Sequence, residues 1–284
     1  MNLHFARLLF SFAPLVGTAF AQTPVSAAPD PVAIVKRSVE VDNRQEELRR
    51  DYTYDQLATT KELDSKGQVK KTTSTKTEVI VIGPQRLRLV VERDGKPLPP
   101  GDAAKEKARY EKGAQEAAKM SPAETKKRLD DQRRRSEEER EKFQHIPEAF
   151  TFTLMGEQEL DGRPAWKIRA MPKRNYSGPY AFLLRNIEGT LWVDKADHAW
   201  VKFEADTLGT VSFGWLLARI AKGTRMTFES HKINNELWAP SKITIRGDAR
   251  IALLKSLRID QEIAFTRYRK FQTDAHVVAT EGPQ

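Results

Sequence analysis

The sequence predicts a mainly β domain, an antiparallel meander of about ten or eleven strands covered by two or three helices. Three observations carry this. Apolar and polar residues alternate from Tyr52 to Glu92 and again from Phe150 to Thr266. Turn residues such as Asp64-Ser65-Lys66-Gly67, Gly83-Pro84, Asp161-Gly162 and Asn234-Asn235 separate the alternating runs. Clear helix starts occur at only two places, Asp30-Pro31 and Ser121-Pro122.

The first residues set the expected compartment. Arg7 precedes an apolar run from Leu8 to Ala21 that is too short and interrupted to cross a bilayer, and Ala19-Phe20-Ala21 is a cleavage pattern. Residues 1–21 are therefore expected to be an export signal, 22–30 a flexible spacer, 31–270 the folded domain and 271–284 a strand end and tail. The chain has no cysteine. That excludes disulfides, thiol catalysis and a lipid-bearing lipobox, so a soluble, unanchored periplasmic protein with an ordinary core is expected. The net charge of +9 would suit nucleic acid, but an exported chain rarely meets any. Anionic headgroups or acidic envelope polymers fit it better, which makes peripheral membrane contact compatible with the charge.

In chain order, Asp30 reads as an N-cap with Pro31 at the first helical position. Val32, Val35 and Val39 share one face of a helix running to about Arg50. A long Thr- and Val-rich strand covers Gln68–Ile82, and Leu87, Leu89 and Val91 share a face of the next. Residues 102–145 are charged throughout, with interleaved signs and few apolar anchors, among them Leu129 and Phe143. Ser121, Pro122 and Glu124 form a capping box, so this block is read as a helical hairpin or two tandem helices, an appended arm outside the core. Strands then follow through Phe150–Leu154, Trp166–Ala170, Ile187–Val193, Val201–Ala205, Met226–Ile233, Ser241–Arg246 and Leu257–Phe265.

The motifs of catalysis are missing. The five histidines have no metal-ligand spacing, and there is no G-x-S-x-G elbow, phosphate-binding glycine loop or dinucleotide fingerprint. No enzymatic activity and no cofactor are expected. Asp194, Asp197 and His198 crowd one turn, which reads as a solvated hairpin turn.

Aromatic residues supply the candidate ligand site. By alternation Trp192 lies opposite Leu191 and Val193, and Trp200 opposite Val201 and Phe203. Both faces of that hairpin would then carry apolar bulk, so the second face is either packed beneath the N-terminal helix or lines a cavity. Between Gly209 and Gly223 lies an apolar segment with Phe213, Trp215, Leu216 and Ile220. It is expected to be helical, and either a lid or a plug at the barrel end.

Four stretches resemble a known family. They are Asp161-Gly162-Arg163-Pro164-Ala165-Trp166-Lys167-Ile168, Gly189-Thr190-Leu191-Trp192-Val193-Asp194, Val201-Lys202-Phe203-Glu204-Ala205 and Glu236-Leu237-Trp238-Ala239-Pro240. They are similar to strand motifs of the LolA/LolB-like group, which includes periplasmic lipoprotein carriers and sensor-regulators related to RseB and MucB. The resemblance implies an incomplete antiparallel β-barrel wrapped around helices, with an apolar cavity that shelters acyl chains in the carriers. The partner implied is a lipid or lipoprotein or, on the regulator side, an envelope protein. The charged insertion departs from the simple carriers, and none of their functional residues is carried over to this sequence.

Overall fold

A computed structural model describes residues 28–213, 218–251 and 255–270. Helix α1 (Pro31–Arg49) leads into a hairpin block of β1 (Tyr52–Leu63), β2 (Val69–Ile82), β3 (Gln85–Arg93) and the short β4 (Lys96–Pro97). The insertion follows as α2 (Pro100–Ala118) and α3 (Pro122–Gln144), with one more turn in α4 (Ile146–Ala149). Next come β5 (Phe150–Leu160), β6 (Arg163–Pro172), α5 (Ala181–Leu184), β7 (Ile187–Asp194) and β8 (Trp200–Thr207). The chain continues with β9 (Val211–Phe213), β10 (Ala218–Ile220), β11 (Arg225–Ile233), β12 (Leu237–Ile251) and β13 (Lys255–Lys270).

All pairings are antiparallel, and the sheet runs β4-β3-β2-β1-β13-β12-β11-β8-β7-β6-β5. Among the described residues the N-terminal block therefore pairs with the other strands only where β1 meets β13, from Tyr52 opposite Lys270 to Leu63 opposite Arg258. The outer strands do not meet, so the barrel is incomplete. Its local chemistry follows the sequence. Asp30 accepts the Val32 N–H at 3.0 Å to start α1. Ser121 Oγ accepts Glu124 N–H at 3.3 Å while Glu124 returns the bond to Ser121 N–H at 2.8 Å. Positive φ at Asp161 and Gly162 gives a two-residue hairpin turn, and at Asn234 and Asn235 it starts a three-residue loop that ends at Glu236.

Helix α1 holds the core together. Ile34 and Val35 pack with Phe150, Phe152, Ile168, Leu191 and Val193. Farther along, Val41 meets Val201 and Trp238, and Leu48 reaches Tyr52, Leu237 and Tyr268.

The insertion is helical as its capping box demands, but it lies back on the molecule. None of the α2 residues is buried. Leu87 lies against Gly113 of the helix, Glu106 accepts the Val90 N–H at 3.3 Å, and Arg109 donates to the Arg88 carbonyl at 2.6 Å. Helix α3 is tied to α1 through Arg140 and Glu47 at 3.1 Å, and Arg50 donates to Ser136 Oγ at 2.7 Å.

The segment expected as a helix between Gly209 and Gly223 is different. Val211–Phe213 and Ala218–Ile220 are strands paired with each other, and β10 also pairs with the far end of β12. They extend the β8–β11 hairpin past a bend. At that bend the Thr207 hydroxyl donates to the Ala221 carbonyl at 2.7 Å and accepts the Thr224 N–H at 2.9 Å. The overhanging edge of β12 offers backbone partners that a helix could not use, and that outweighs local helix preference. Trp215 and Leu216 lie outside the described residues.

Candidate functional site: the uncovered part of the helix-bearing sheet face

Directly paired residues of antiparallel strands point to the same face, so the register defines which side chains form a surface. One cross-strand row reads Leu154, Ile168, Leu191, Phe203, Phe228, Ile243, Ile263, Ala58. Its first members pack against α1 or the residues around it, which places the whole row on the helix-bearing face. Burial then changes along it. Ile168 is 0% exposed and Leu191 4%, whereas Phe203, Phe228, Ile243 and Ile263 are only half-buried. A second row beside it, Ala205, Met226, Ile245, Gln261, Thr60, is apolar at β11 and β12 and turns polar at β13. There Gln261 donates to Thr60 Oγ1 at 3.0 Å. The result is an apolar strip across β8, β11, β12 and β13, with α1 on one flank and a polar border on the other.

The two tryptophans proposed for a cavity wall do not share one surface. The β7–β8 register shifts between Trp192, opposite Lys202, and Val193, opposite Trp200, so Val201 is the extra residue of a β-bulge. The bulge rotates Trp200 to the side of Phe203, with ring centroids 6.4 Å apart. Strict alternation had separated these two. Trp200 then packs beneath the helices, its indole N–H donating to Ser38 Oγ at 2.6 Å and its ring meeting Phe143 edge-on at 5.8 Å. Trp192 remains on the opposite face and is 4% exposed. Its cross-strand neighbours Lys167 and Lys202 lay their amines over the indole at 5.3 and 5.0 Å, and its N–H donates to Gln158 at 2.9 Å. The apolar bulk on that face is therefore covered by lysine stems.

The space between α1 and the sheet, lined by Val41, Trp200, Phe228 and Trp238 among others, amounts to about 10 Å³. That is room for one water at most. On the Trp200 side of the hairpin α1 packs directly on the strand, through the bond from Trp200 to Ser38. Of the remaining candidates, Ile220 is half-buried and in register with Val211 and Ala249, and Phe213 is in register with Ala218. The larger hollow, about 340 Å³, lies at the Gly223–Gly247 bend, where Lys222, Arg246, Asp248, Arg258 and Asp260 give it a charged lining.

Sequence reasoning missed one polar centre. Asp194, read as part of a solvated turn, is 0% exposed. Arg163 grips it with two bonds, 2.7 and 2.9 Å, and also reaches Asp197 at 2.8 Å. Asp197 is bonded by Lys232 at 2.8 Å and by the Trp238 indole at 3.0 Å. Burial pushes the Asp197 carboxyl up, but Lys232, Trp238 and Arg163 outweigh it and hold it below the usual carboxylate range. The Arg163 guanidinium is raised, chiefly by its bonds to Asp194. Both carboxylates are consumed by cations, so the turn is a structural clasp between hairpins. The signal was the Asp-Gly-Arg in the preceding turn, which places Arg163 two residues before Ala165, the cross-strand partner of Asp194.

Among the described residues, no group of three His, Asp or Glu could hold a metal ion, and no helix is long and apolar enough to cross a membrane. No family model matches the chain, and no curated protein matches it. Several solved structures are similar. One is a domain of the outer membrane lipoprotein-sorting type from Vibrio parahaemolyticus, 11% identical over 85% of this chain and 95% of that one, with a TM-score of 0.34. Another is a LolA-superfamily protein from Nitrosomonas europaea, 10% identical over 86% and 94%, at 0.31. A third is from the Pseudomonas aeruginosa MucA/MucB complex, 9% identical over 86% and 100%, at 0.23. They belong to the group whose strand motifs the sequence resembles, and likenesses of this size carry no inference about ligand or partner.

Proposed function

We propose that the protein is a non-enzymatic binding protein of the bacterial periplasm that holds the acyl chain of a lipid or lipoprotein. The site is the strip of Phe203, Met226, Phe228, Ile243, Ile245 and Ile263 beside α1. One observation carries this: a row fully buried at Ile168 continues as half-buried aromatic and aliphatic residues on the same face. A contiguous apolar strip with a polar border is what a ligand covers. Burying an acyl chain there gains about 0.8 kcal/mol per CH₂ removed from water. The export signal expected at residues 1–21 supplies the compartment, and the positive charge favours an anionic lipid headgroup.

A fluorescent fatty acid titrated into delipidated protein tests it. Phe228→Asp and Ile263→Asp should each weaken binding at least tenfold, while Trp192→Phe, on the opposite face, should leave it unchanged. A wild-type protein that ignores the probe, or aspartate variants that bind it normally, would overturn the proposal.

A further inference from the structure

The two free edges of the sheet are treated differently. At the β3 edge the outward backbone is sealed by α2, with Glu106 accepting the Val90 N–H and Arg109 donating to the Arg88 carbonyl. The β5 edge has no such cover.

The register shows which β5 groups face outward. Lys195 N–H donates to the Pro164 carbonyl, and Lys173 N–H to the Ala149 carbonyl. In an antiparallel ladder hydrogen-bonded pairs alternate. Positions 164, 166, 168 and 170 of β6 therefore bond β7, and 165, 167, 169 and 171 bond β5. Their partners are Gln158, Gly156, Thr153 and Thr151. The N–H and C=O groups of Phe152, Leu154, Glu157 and Glu159 consequently point away from the sheet, on both sides of the bulge at Met155. Among the described residues nothing bonds them. The outward backbone groups of Phe152 belong to a residue that is 7% exposed overall. Where solvent is excluded, such groups are costly to leave unpaired.

Side chains along this edge define what fits. Phe152 and Leu154 face the core beneath α1, while Glu157 and Glu159 share that face beyond the bulge and are exposed. A segment running antiparallel to β5 would set alternate apolar residues beside Phe152 and Leu154, extending the core by one strand. Its preceding alternate residues would lie beside exposed Glu159 and beside Glu157, which Lys195 already pairs at 2.6 Å, so positive charge is wanted chiefly opposite Glu159. We propose that the β5 edge receives an extended segment of another protein, with alternate basic and then alternate apolar residues, as an added strand. This concerns the edge and is independent of acyl binding on the face.

The probe is a short synthetic peptide with two alternate lysines followed by alternate valines, threonine between them. It should slow amide exchange at Phe152 and Leu154. N-methylating the amides that face β5 should weaken binding at least tenfold. The double variant Glu157→Lys, Glu159→Lys should lose it to the same extent and regain binding with a peptide carrying glutamates instead of lysines. That rescue separates recognition from misfolding, and fatty-acid binding should be unchanged throughout. Unprotected amides, equal binding of the N-methylated peptide, indifference to the charge swap, or dimerisation of the free chain through β5 would each overturn the proposal.

Discussion

The indole N–H of Trp200 donates to the hydroxyl of Ser38, which itself donates to the Val35 carbonyl one turn back in α1 at 2.8 Å. Ser38 is fully buried, so this pair fixes how α1 rests on the bulged strand. Ser38→Ala leaves the indole donor unmatched and should destabilise the protein by about 1–3 kcal/mol. Urea unfolding followed by circular dichroism measures it. The double variant with Trp200→Phe should cost less than the sum of the two single changes.

Arg163→Met should be among the most damaging single substitutions. It leaves Asp194 buried without its cation, and breaking such a pair typically costs about 3–5 kcal/mol. Asp194→Asn in the same background should recover part of the loss. Asp197 adds an acid limb. Its folded carboxyl titrates below the unfolded one, so its contribution is present above the unfolded value and lost as pH falls through the folded value. Lys232→Met should flatten that limb in unfolding curves taken at successive pH values.

His231 gives a second pH dependence, in a higher window. Burial pushes its imidazole down, opposed only by Asp161, and its ring meets Tyr268 edge-on at 6.1 Å. The folded protein thus favours the neutral ring. Its contribution is complete above the unfolded value near 6.5 and declines as pH falls below it. The urea midpoint of the wild type should drop between pH 7 and pH 5 by more than that of His231→Gln.

Replacing residues 102–145 with a short flexible linker should leave a cooperatively folding β domain, since α2 buries none of its side chains. What it loses is the seal on β3. The amide of Val90, which loses its bond to Glu106, should exchange faster, and sedimentation should show concentration-dependent self-association through the bared edge. Loss of a cooperative transition would show that the insertion belongs to the core.

Local signals made the strands and helix starts legible. Asp30, Ser121 and the Asp161-Gly162 turn specify their structure through groups a few residues away, and the pattern of Ile187 to Phe203 exposes its hairpin. Trp200 shows where this fails. One extra residue at Val201 reverses the parity of everything before it, and a bulge leaves no mark in composition. Asp194 fails for another reason, because its burial depends on Lys232 and Trp238 of a different hairpin meeting Asp197. The strip at the candidate site was visible as single strands, but its continuity needs the order β8-β11-β12-β13, which alternation cannot supply.

The pairing of β1 with β13 ties the beginning of the domain to its end. Among the described residues the block from Tyr52 to Pro97 pairs with the other strands only through residues 258–270. Closing so long a loop is slow, and it cannot happen until the last strand is present. A polypeptide delivered N-terminus first therefore waits with its first hairpins unattached while the remaining strands arrive. Removing β13 should yield two fragments of sheet that never join.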